Sequence, residues 1–395
     1  MTEVNLHVEN KNHLRWRWFG ACAFVAASIA AIWLLPEALV NWSTRAIVDP
    51  LKPLSSAEFV KAVTDARQGV LFSVGGCIAI FTLLISLSKH NLDRRSQELD
   101  RERQELDRDA NRTNRYTEAV KQLGAESSPS IRLGGIYALE RIAQDSPRDR
   151  QTILDVLCAF ARERSSVAKM VGANAVLVTD VAAAVTVFGR RKFLDSNQVS
   201  FDLSRTYLGG IRLSNACLAY TNFGFSNLAE AQLDHANLTR VTLLNANLVR
   251  ANLFSASLRS ANLIRANFTL AGLSAADLSQ ADLSEGILDM AHLGDAKLPQ
   301  ATLSMATLKG ATLTGADMTE ASLNGADLTG ARLNGAILVG ADLSNANFMK
   351  ANLAGAVLEG AIVRDDLGLV KLVTHDYLES VGAQGLDTVR GLPVK

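Results

Sequence analysis

The chain has 395 residues with 40 basic and 40 acidic side chains, and its zero formal net charge provides no global field for attracting nucleic acid. Its four cysteines lie far apart without a CxxC pair, which argues against a disulfide framework or a zinc site. Aromatic residues make up only 6% of the chain, and the many Ala and Leu residues favour repetitive packing of small and aliphatic side chains.

The first segment of note is an apolar run near the N-terminus. Residues 19–35 carry no charge and the apolar character continues to residue 40, nearly enough to cross a hydrocarbon core ~30 Å thick. All four tryptophans flank or end this run: Trp16, Trp18, Trp33 and Trp42. A cleaved signal peptide is the rival interpretation, because basic residues precede the run. The length and the terminal indoles favour a retained transmembrane helix over 19–40.

A second uncharged run, GVLFSVGGCIAIFTLLISLS, predicts a transmembrane helix over 69–88. Three Lys or Arg residues precede the first span, four lie in the intervening loop and six follow the second span. This bias predicts a cytoplasmic N-terminus over 1–18, an external loop over 41–68 and a cytoplasmic C-terminus. The lipid bilayer is therefore the first predicted partner.

Residues 89–115 are strongly charged and contain leucines at seven-residue spacing: Leu92, Leu99 and Leu106. The companion heptad position is polar: Lys89, Ser96 and Arg103. We therefore expect a solvated helical stalk with Glu–Arg pairs at helical spacing, in preference to a self-sufficient coiled coil. A weak homo-oligomer through this stalk is the alternative that the spacing leaves open.

Three apolar faces with helical spacing follow, and they predict a helical connector over 116–195. Their members are Tyr116, Ala119, Val120 and Leu123; Leu133, Ile136, Leu139 and Ile142; and Ile153, Val156, Leu157 and Phe160. Gly124 is predicted to end the first helix, and Ser146 with Pro147 to begin the third. Residues 167–188 are rich in Ala and Val and predict a further helix. A layer that plugs the structure following it is favoured over a partner-binding module.

Every fifth residue from Leu203 to Val363 is apolar, 33 positions in all. A step of five suits neither a helical stripe nor one face of a continuous strand. A small residue, mostly Ala, lies two positions before the apolar one, and Asn or Asp is common just before it. A chain that bends after each five-residue side satisfies this pattern, because four sides then close one square coil of 20 residues. The 33 sides would form about eight coils, on the order of 40 Å in length.

In this arrangement the apolar residue of each side points inward, and residues 20 apart stack on one another. The predicted structural core includes Leu203, Leu228, Leu253, Leu263, Phe268, Leu303, Leu328, Phe348 and Leu358. Asn227, Asn247 and Asn267 fall in consecutive coils, and we expect a structural ladder of their amide side chains. Many bends in the later half carry Gly, which adopts positive φ readily.

The tandem A(D/N)LXX units over 201–363 resemble the pentapeptide-repeat family, whose members fold as a right-handed quadrilateral parallel β-helix. The segments TNRYTEAVKQLG and RLGGIYALERIAQDS are also similar to the block that precedes the repeats in bacterial membrane-anchored members. The resemblance implies a mainly β solenoid behind an N-terminal transmembrane and helical region, in a bacterial inner (plasma) membrane. It implies no general biochemical activity. Residues 364–395 leave the repeat register and predict a C-terminal cap, with Leu372, Tyr377 and Leu378 on its apolar side.

Some members of the family bind gyrase by presenting an acidic, DNA-like surface, and the charges here test that alternative. Residues 201–270 carry three acids and six bases, whereas 271–363 carry ten acids and four bases. The charges form no phosphate-like ladder and no basic groove, so no nucleic-acid partner is expected. The six histidines are scattered, so we expect no catalytic, metal or cofactor site. A non-catalytic scaffold with an unidentified protein partner is the leading hypothesis. Gyrase modulation, and a transport or signalling role resting on Gly75 and Gly76, are the alternatives.

Overall fold

The computed structural model describes residues 55–126, 128–166, 177–190, 200–364 and 369–392, together with six isolated residues between Ala23 and Ala38. The predicted span over 19–40 therefore lies almost wholly outside the described residues. The chain divides into two units, Met1–Asp109 and Ala110–Lys395. The described residues of the second unit form the end of one long helix, three shorter helices, the repeat coil and a terminal segment with a further short helix.

Helix α1 runs without a break over Ser56–Leu123. It begins earlier than the sequence pattern predicts, so residues 56–68, predicted as part of an external loop, are helical. The cause is a capping box: the backbone N–H and hydroxyl of Ser55 donate to Glu58 Oε2 at 3.0 and 2.9 Å. The helix is long and apolar enough to cross a membrane, and its most apolar 18-residue window has a mean hydropathy of 2.4 with none of it buried.

Three helices form a layer against the end of α1: α2 over Pro129–Asp145, α3 over Arg150–Arg164 and α4 over Thr179–Gly189. Their predicted apolar faces supply a shared core that includes Leu123, Ile136 and Leu157. At Gly135 the helices approach closely, because an added Cβ would lie 2.7 Å from the Ala119 carbonyl oxygen. The layer therefore holds the last turns of α1 firmly.

The start of α3 corrects the prediction of Ser146 as a cap and Pro147 as the first helical residue. Ser146 ends α2, since its backbone N–H donates to the Ile142 carbonyl at 2.9 Å. Its hydroxyl donates to Asp149 Oδ2 at 2.7 Å, and α3 begins only at Arg150. The serine hydroxyl is thus directed to Asp149, the residue that precedes α3, and it does not accept from a backbone N–H of the first turn.

From Phe201 onward the chain coils with a period of 20 residues. Strands β1 (Phe201–Asp202) and β2 (Thr221–Asn222) pair in parallel, and single parallel bridges join residues 20 apart on every later side. We call the four five-residue segments of each 20-residue period sides 1 to 4, starting from those with the central residues Leu203, Leu208, Leu213 and Leu218. The nine predicted core residues are all at most 2% exposed, and packing of such side chains drives the coil to close.

Helices α3 and α4 close the N-terminal end of the coil. The rings of Phe188 and Phe201 pack edge to face at 4.9 Å in the core that the helices share with the first sides. Backbone hydrogen bonds join the Tyr207 N–H to the Ser165 carbonyl and the Cys217 N–H to the Gly189 carbonyl. Exposed parallel edges invite pairing with other chains, and these contacts cover part of this one.

The terminal segment closes the other end. Strand β3 (Ile362–Arg364) pairs antiparallel with β4 (Val370–Leu372), and α5 (His375–Ser380) and a 3₁₀ turn (Leu386–Thr388) follow. Leu378 is fully buried, and the Tyr377 hydroxyl donates to the Leu343 carbonyl at 3.2 Å. The prediction that Leu372 lies on the apolar side of this segment is wrong. Leu372 is 54% exposed, whereas its neighbour Val373 is 1% exposed. Strand alternation turns only one of these two neighbours inward.

Candidate interaction surface

The corners of the coil have one backbone conformation throughout. Every fifth residue from Arg205 to Gly360 has positive φ, and 23 of these residues are not glycine. The left-handed conformation normally costs an L-residue roughly 1–2 kcal/mol, so the stacked coil imposes this turn whatever the residue. Glycine in the later half relieves the cost but is not required. Corner side chains can therefore vary, and they supply much of the outer surface.

The residue just before each central position caps its own turn. The side-chain oxygens of Asn227, Asn247 and Asn267 accept from the backbone N–H two residues later, at 3.0, 3.2 and 3.0 Å. Within 200–364, no hydrogen bond joins these three side chains to one another. The predicted amide ladder is thus corrected: the three residues stack through backbone bridges, while their side chains form Asx turns.

A side-chain ladder does exist at another position, the corner between sides 4 and 1. The Ser260 hydroxyl donates to Gln280 Oε1 at 3.3 Å, Gln280 Nε2 donates to Gln300 Oε1 at 3.1 Å, and Gln300 Nε2 donates to Glu320 Oε2 at 2.9 Å. The 20-residue spacing of two glutamines and a glutamate was the sequence signal for it. Because these polar groups satisfy one another, this corner is explained by the fold.

Most charged groups on the coil are also engaged within it. Arg265 and Glu285 form a bidentate pair at 2.8 and 3.1 Å, Arg259 lies 3.1 Å from Asp277, and other pairs join Arg250 to Glu230 and Lys309 to Asp327. These pairs couple successive coils, and Asp282 and Asp317 accept hydrogen bonds from their own turns.

The carboxylate of Asp277 shows how the turns and the ion pairs combine. Partial burial is the largest influence and raises the pKa of this group, but it is outweighed. The Ser279 hydroxyl and backbone N–H and the Arg259 guanidinium together bring the pKa below its usual value. Asp277 is thus bound into the fold by its own turn and by Arg259.

Exposed apolar side chains are concentrated on one side of the coil. Eight large apolar residues of the coil are 38–64% exposed: Phe225, Phe254, Leu270, Ile287, Met290, Met305, Ile337 and Met349. Six of them lie on side 2 or on its two corners, and we call this set the apolar face: Phe225, Leu270, Ile287, Met290, Met305 and Met349. Phe254 and Ile337 lie on sides 3 and 4. The sequence periodicity alone did not single out this set, because outward positions show no repeat.

The described residues bring together few groups with chemical reactivity. His235 packs edge to face on Phe254 at 5.5 Å, and His375 lies 3.5 Å from Glu379. His375, Asp376 and Glu379 are the one group of three potential metal ligands among the described residues. They sit on the six-residue α5, and both acids are exposed. We assign no metal to this group.

Comparison with known proteins agrees with the repeat geometry. A model of pentapeptide repeats matches eight copies over residues 206–245, 246–285, 287–325 and 326–365. No curated protein sequence matches the chain.

Several solved structures resemble the coil. HetL of the cyanobacterium Nostoc sp. strain PCC 7120, a pentapeptide-repeat protein involved in heterocyst differentiation regulation, is 29% identical over 44% of this chain and 92% of its own, with a TM-score of 0.18. A second pentapeptide-repeat protein of Nostoc PCC 7120 is 32% identical over 27% and 83%, with a TM-score of 0.22. QnrB1, a plasmid-mediated fluoroquinolone resistance protein, is 20% identical over 43% and 81%, with a TM-score of 0.28.

The assignment rests on the repeat match and on the 20-residue bridge register, since the superpositions themselves are loose. Each matched segment contains the five-residue units whose central side chains fill the coil and whose corners share one positive-φ turn. Through its repeats, this chain belongs to the pentapeptide-repeat family.

Proposed function

We propose that this protein is a membrane-anchored, non-catalytic scaffold whose repeat coil binds a protein partner through the apolar face. The observation that carries the proposal is the concentration of exposed apolar side chains on side 2 and its corners. The coil does not need them for stability, because its inward positions are already filled. Aromatic residues and Met are enriched at protein interfaces, and flexible Met side chains such as Met290 adapt to a partner's shape.

Anchoring is supported by α1. Side chains of its apolar segment are well exposed: Leu71 by 51%, Phe72 by 80% and Ile80 by 61%. Exposing such a run to water is costly, and a bilayer removes the cost. With the predicted span over 19–40 and the Lys and Arg bias, we propose two spans in a bacterial inner membrane, with both termini and the coil in the cytoplasm.

We also propose that the coil is right-handed and quadrilateral, as the family resemblance implies. Four five-residue sides of equal length support a square cross-section, because each side contributes one bridge and one corner per 20 residues.

Gyrase modulation by DNA mimicry receives less support from the charges. A DNA-like surface needs regularly spaced, unpaired anions. Here Asp277 and Asp327 accept hydrogen bonds from their own turns and also pair with Arg259 and Lys309. A transport role receives little support either, because the apolar segment over 69–88 contains no charged residue that would mark a pathway.

Paired substitutions test the binding face. Leu270→Asp with Met290→Asp places charge on two stacked corners of the apolar face. Ser255→Asp with Ala275→Asp places charge on two stacked corners of the same conformation between sides 3 and 4. Quantitative crosslinking in native membranes should show a partner lost from the first variant and retained by the control. Identical crosslinked proteins in both variants would contradict the proposal.

Reporter fusions test the topology. A reporter that functions in the cytoplasm should be active when it is fused to the C-terminus, whereas one that requires the external compartment should be inactive there. Activity of a reporter that requires the external compartment would overturn the proposed orientation. Full release of the protein from membranes by alkaline carbonate would overturn the anchoring.

A further inference from the structure

A stripe of Leu and Ile runs along α1 at strict seven-residue spacing. Its members are Leu71, Ile78, Ile85, Leu92, Leu99 and Leu106, which are 45–69% exposed. Because α1 is unbroken over Ser56–Leu123, the heptad register of the apolar segment continues without a shift into the charged stalk. We call these six residues the leucine stripe.

The part of the leucine stripe that lies in the stalk is the more informative part, because the stalk contains few other apolar residues. Within 89–115, Leu92, Leu99 and Leu106 are the only aliphatic side chains larger than Ala. A helix that only has to remain solvated does not need exposed leucines. Nothing in such a helix would place all three leucines at one heptad position. The spacing indicates a surface that another element covers.

The seven-residue period of the stripe indicates what kind of structural element covers it. An ideal α-helix turns about 700° in seven residues, so a seven-residue stripe drifts by about 20° per heptad. Over the five heptads from Leu71 to Leu106 the drift is about 100°, too much for one straight contact on a flat surface. Two helices wound in a left-handed supercoil keep such a stripe at their interface.

We propose that the leucine stripe is the dimer interface between α1 and the same helix of a second copy of this chain. The inference rests on the proposed membrane anchoring, because two copies inserted with the same topology lie parallel and at the same depth. The stripe then occupies one core position of a parallel coiled coil. In the apolar segment the other core position carries Gly75 and Thr82, small residues that allow close approach of two helices.

Charge in the stalk limits the strength of this pairing. With the leucines in the second core position, Arg95 faces Asp100 of the second copy, an attractive pair across the interface. Glu102 faces Asp107 of the second copy, which is repulsive, and Lys89, Ser96 and Arg103 occupy the other core position. The dimer is therefore weak in free solution, and confinement in the bilayer, which raises the effective concentration, stabilises it.

Cysteine crosslinking of the full-length protein in native membranes tests the interface. In a background in which Ser or Ala replaces the native cysteines, single Leu92→Cys, Leu99→Cys or Leu106→Cys variants are oxidised, and the disulfide-linked dimer is quantified. Matched controls carry the cysteine two residues further on, on the opposite helix face: Arg94→Cys, Arg101→Cys and Arg108→Cys. We expect at least fivefold more dimer from each stripe variant than from its control.

A second set of variants separates a loss of pairing from a loss of structure. Ser96→Cys reports on the other core position, and Leu92→Ala with Leu106→Ala should lower its crosslinking several-fold while preserving helicity. Arg94→Ala with Arg108→Ala should leave it unchanged.

The outcomes are distinguishable from those of the proposed function. Carbonate-resistant protein that gives no dimer, equal dimer at stripe and control positions, or adducts only with a different protein would overturn the inference and leave the anchoring intact. Protein fully released by carbonate would overturn the anchoring, and the inference with it.

Discussion

The buried ion pair between α2 and α4 gives the sharpest energetic prediction. Asp180 is fully buried and Arg132 is 3% exposed. Arg132 Nε lies 2.5 Å from Asp180 Oδ2, and Nη1 donates to the carbonyls of Ala125 and Glu126, which follow the end of α1. The pair therefore joins the end of the long helix to the layer that closes the coil.

Asp180→Ala removes one partner and leaves the guanidinium of Arg132 buried without its carboxylate. Breaking a buried pair in this way costs about 3–5 kcal/mol. At 1.36 kcal/mol for each factor of ten, amides of α2 and α4 that exchange when the layer opens should exchange faster by roughly two to three and a half orders of magnitude. Hydrogen–deuterium exchange mass spectrometry of the full-length protein in nanodiscs measures this directly.

Two comparisons make the prediction refutable. Arg164 lies 3.3 Å from the same carboxylate but is 34% exposed, so Arg164→Ala should have a clearly smaller effect than Asp180→Ala. Replacing the pair together, by Arg132→Met and Asp180→Leu, should recover most of the protection, because apolar replacements of buried pairs are often neutral. Unchanged exchange in Asp180→Ala would refute the assigned role of the pair.

Three further predictions concern the coil, each measured by circular dichroism during denaturation of the full-length protein. Leu303→Ala should destabilise by about 2–5 kcal/mol because its side chain is fully buried, with Thr302→Ala near neutral; equal losses would contradict the core assignment. Gly325→Ala should cost about 1 kcal/mol, since φ is +67° and the new Cβ would lie 2.5 Å from Met305 Sδ; a gain in stability would count against it. The folded-state pKa of Asp277 is lowered, so its ionised form contributes stability above about pH 4 that is lost as the pH falls through the folded-state pKa. Asp277→Asn should flatten that acid dependence, and an unchanged profile would show that other groups cause it.

The sequence predicts the coil well because one kind of side chain fills one kind of position. A five-residue step with Leu inside leaves no other regular solution, and Leu303 and Phe268 lie in the interior as expected. The role of Asn247 is harder to predict, because an amide at that position can bond to its own turn, to the neighbouring coil or to both, as Asn222 does. Asn247 accepts from its own turn, where the N–H donor lies two residues away.

Other differences between the predicted and the observed structure arise where a residue has two candidate hydrogen-bond partners. In sequence, Ser146 is equally compatible with the end of one helix and the start of the next, whereas in the structure its backbone ends α2 and its hydroxyl bonds to Asp149. The start of α1 was predictable in principle from the Ser55 and Glu58 spacing, but the apolar run beyond residue 69 is the stronger signal. The 20-residue period assigns each outward residue to a side, but the exposure of each apolar side chain on side 2 is known only from the folded coil.

Photocrosslinking in intact cells tests the central claim, that the coil presents its apolar face to a protein partner from a membrane anchor. A photoreactive phenylalanine analogue would replace Met290 on the apolar face or Ala275 at a corner elsewhere on the coil. We expect one discrete protein adduct from position 290 and none from position 275, in the carbonate-resistant membrane fraction. No adduct at position 290, or the same adduct at both positions, would contradict it.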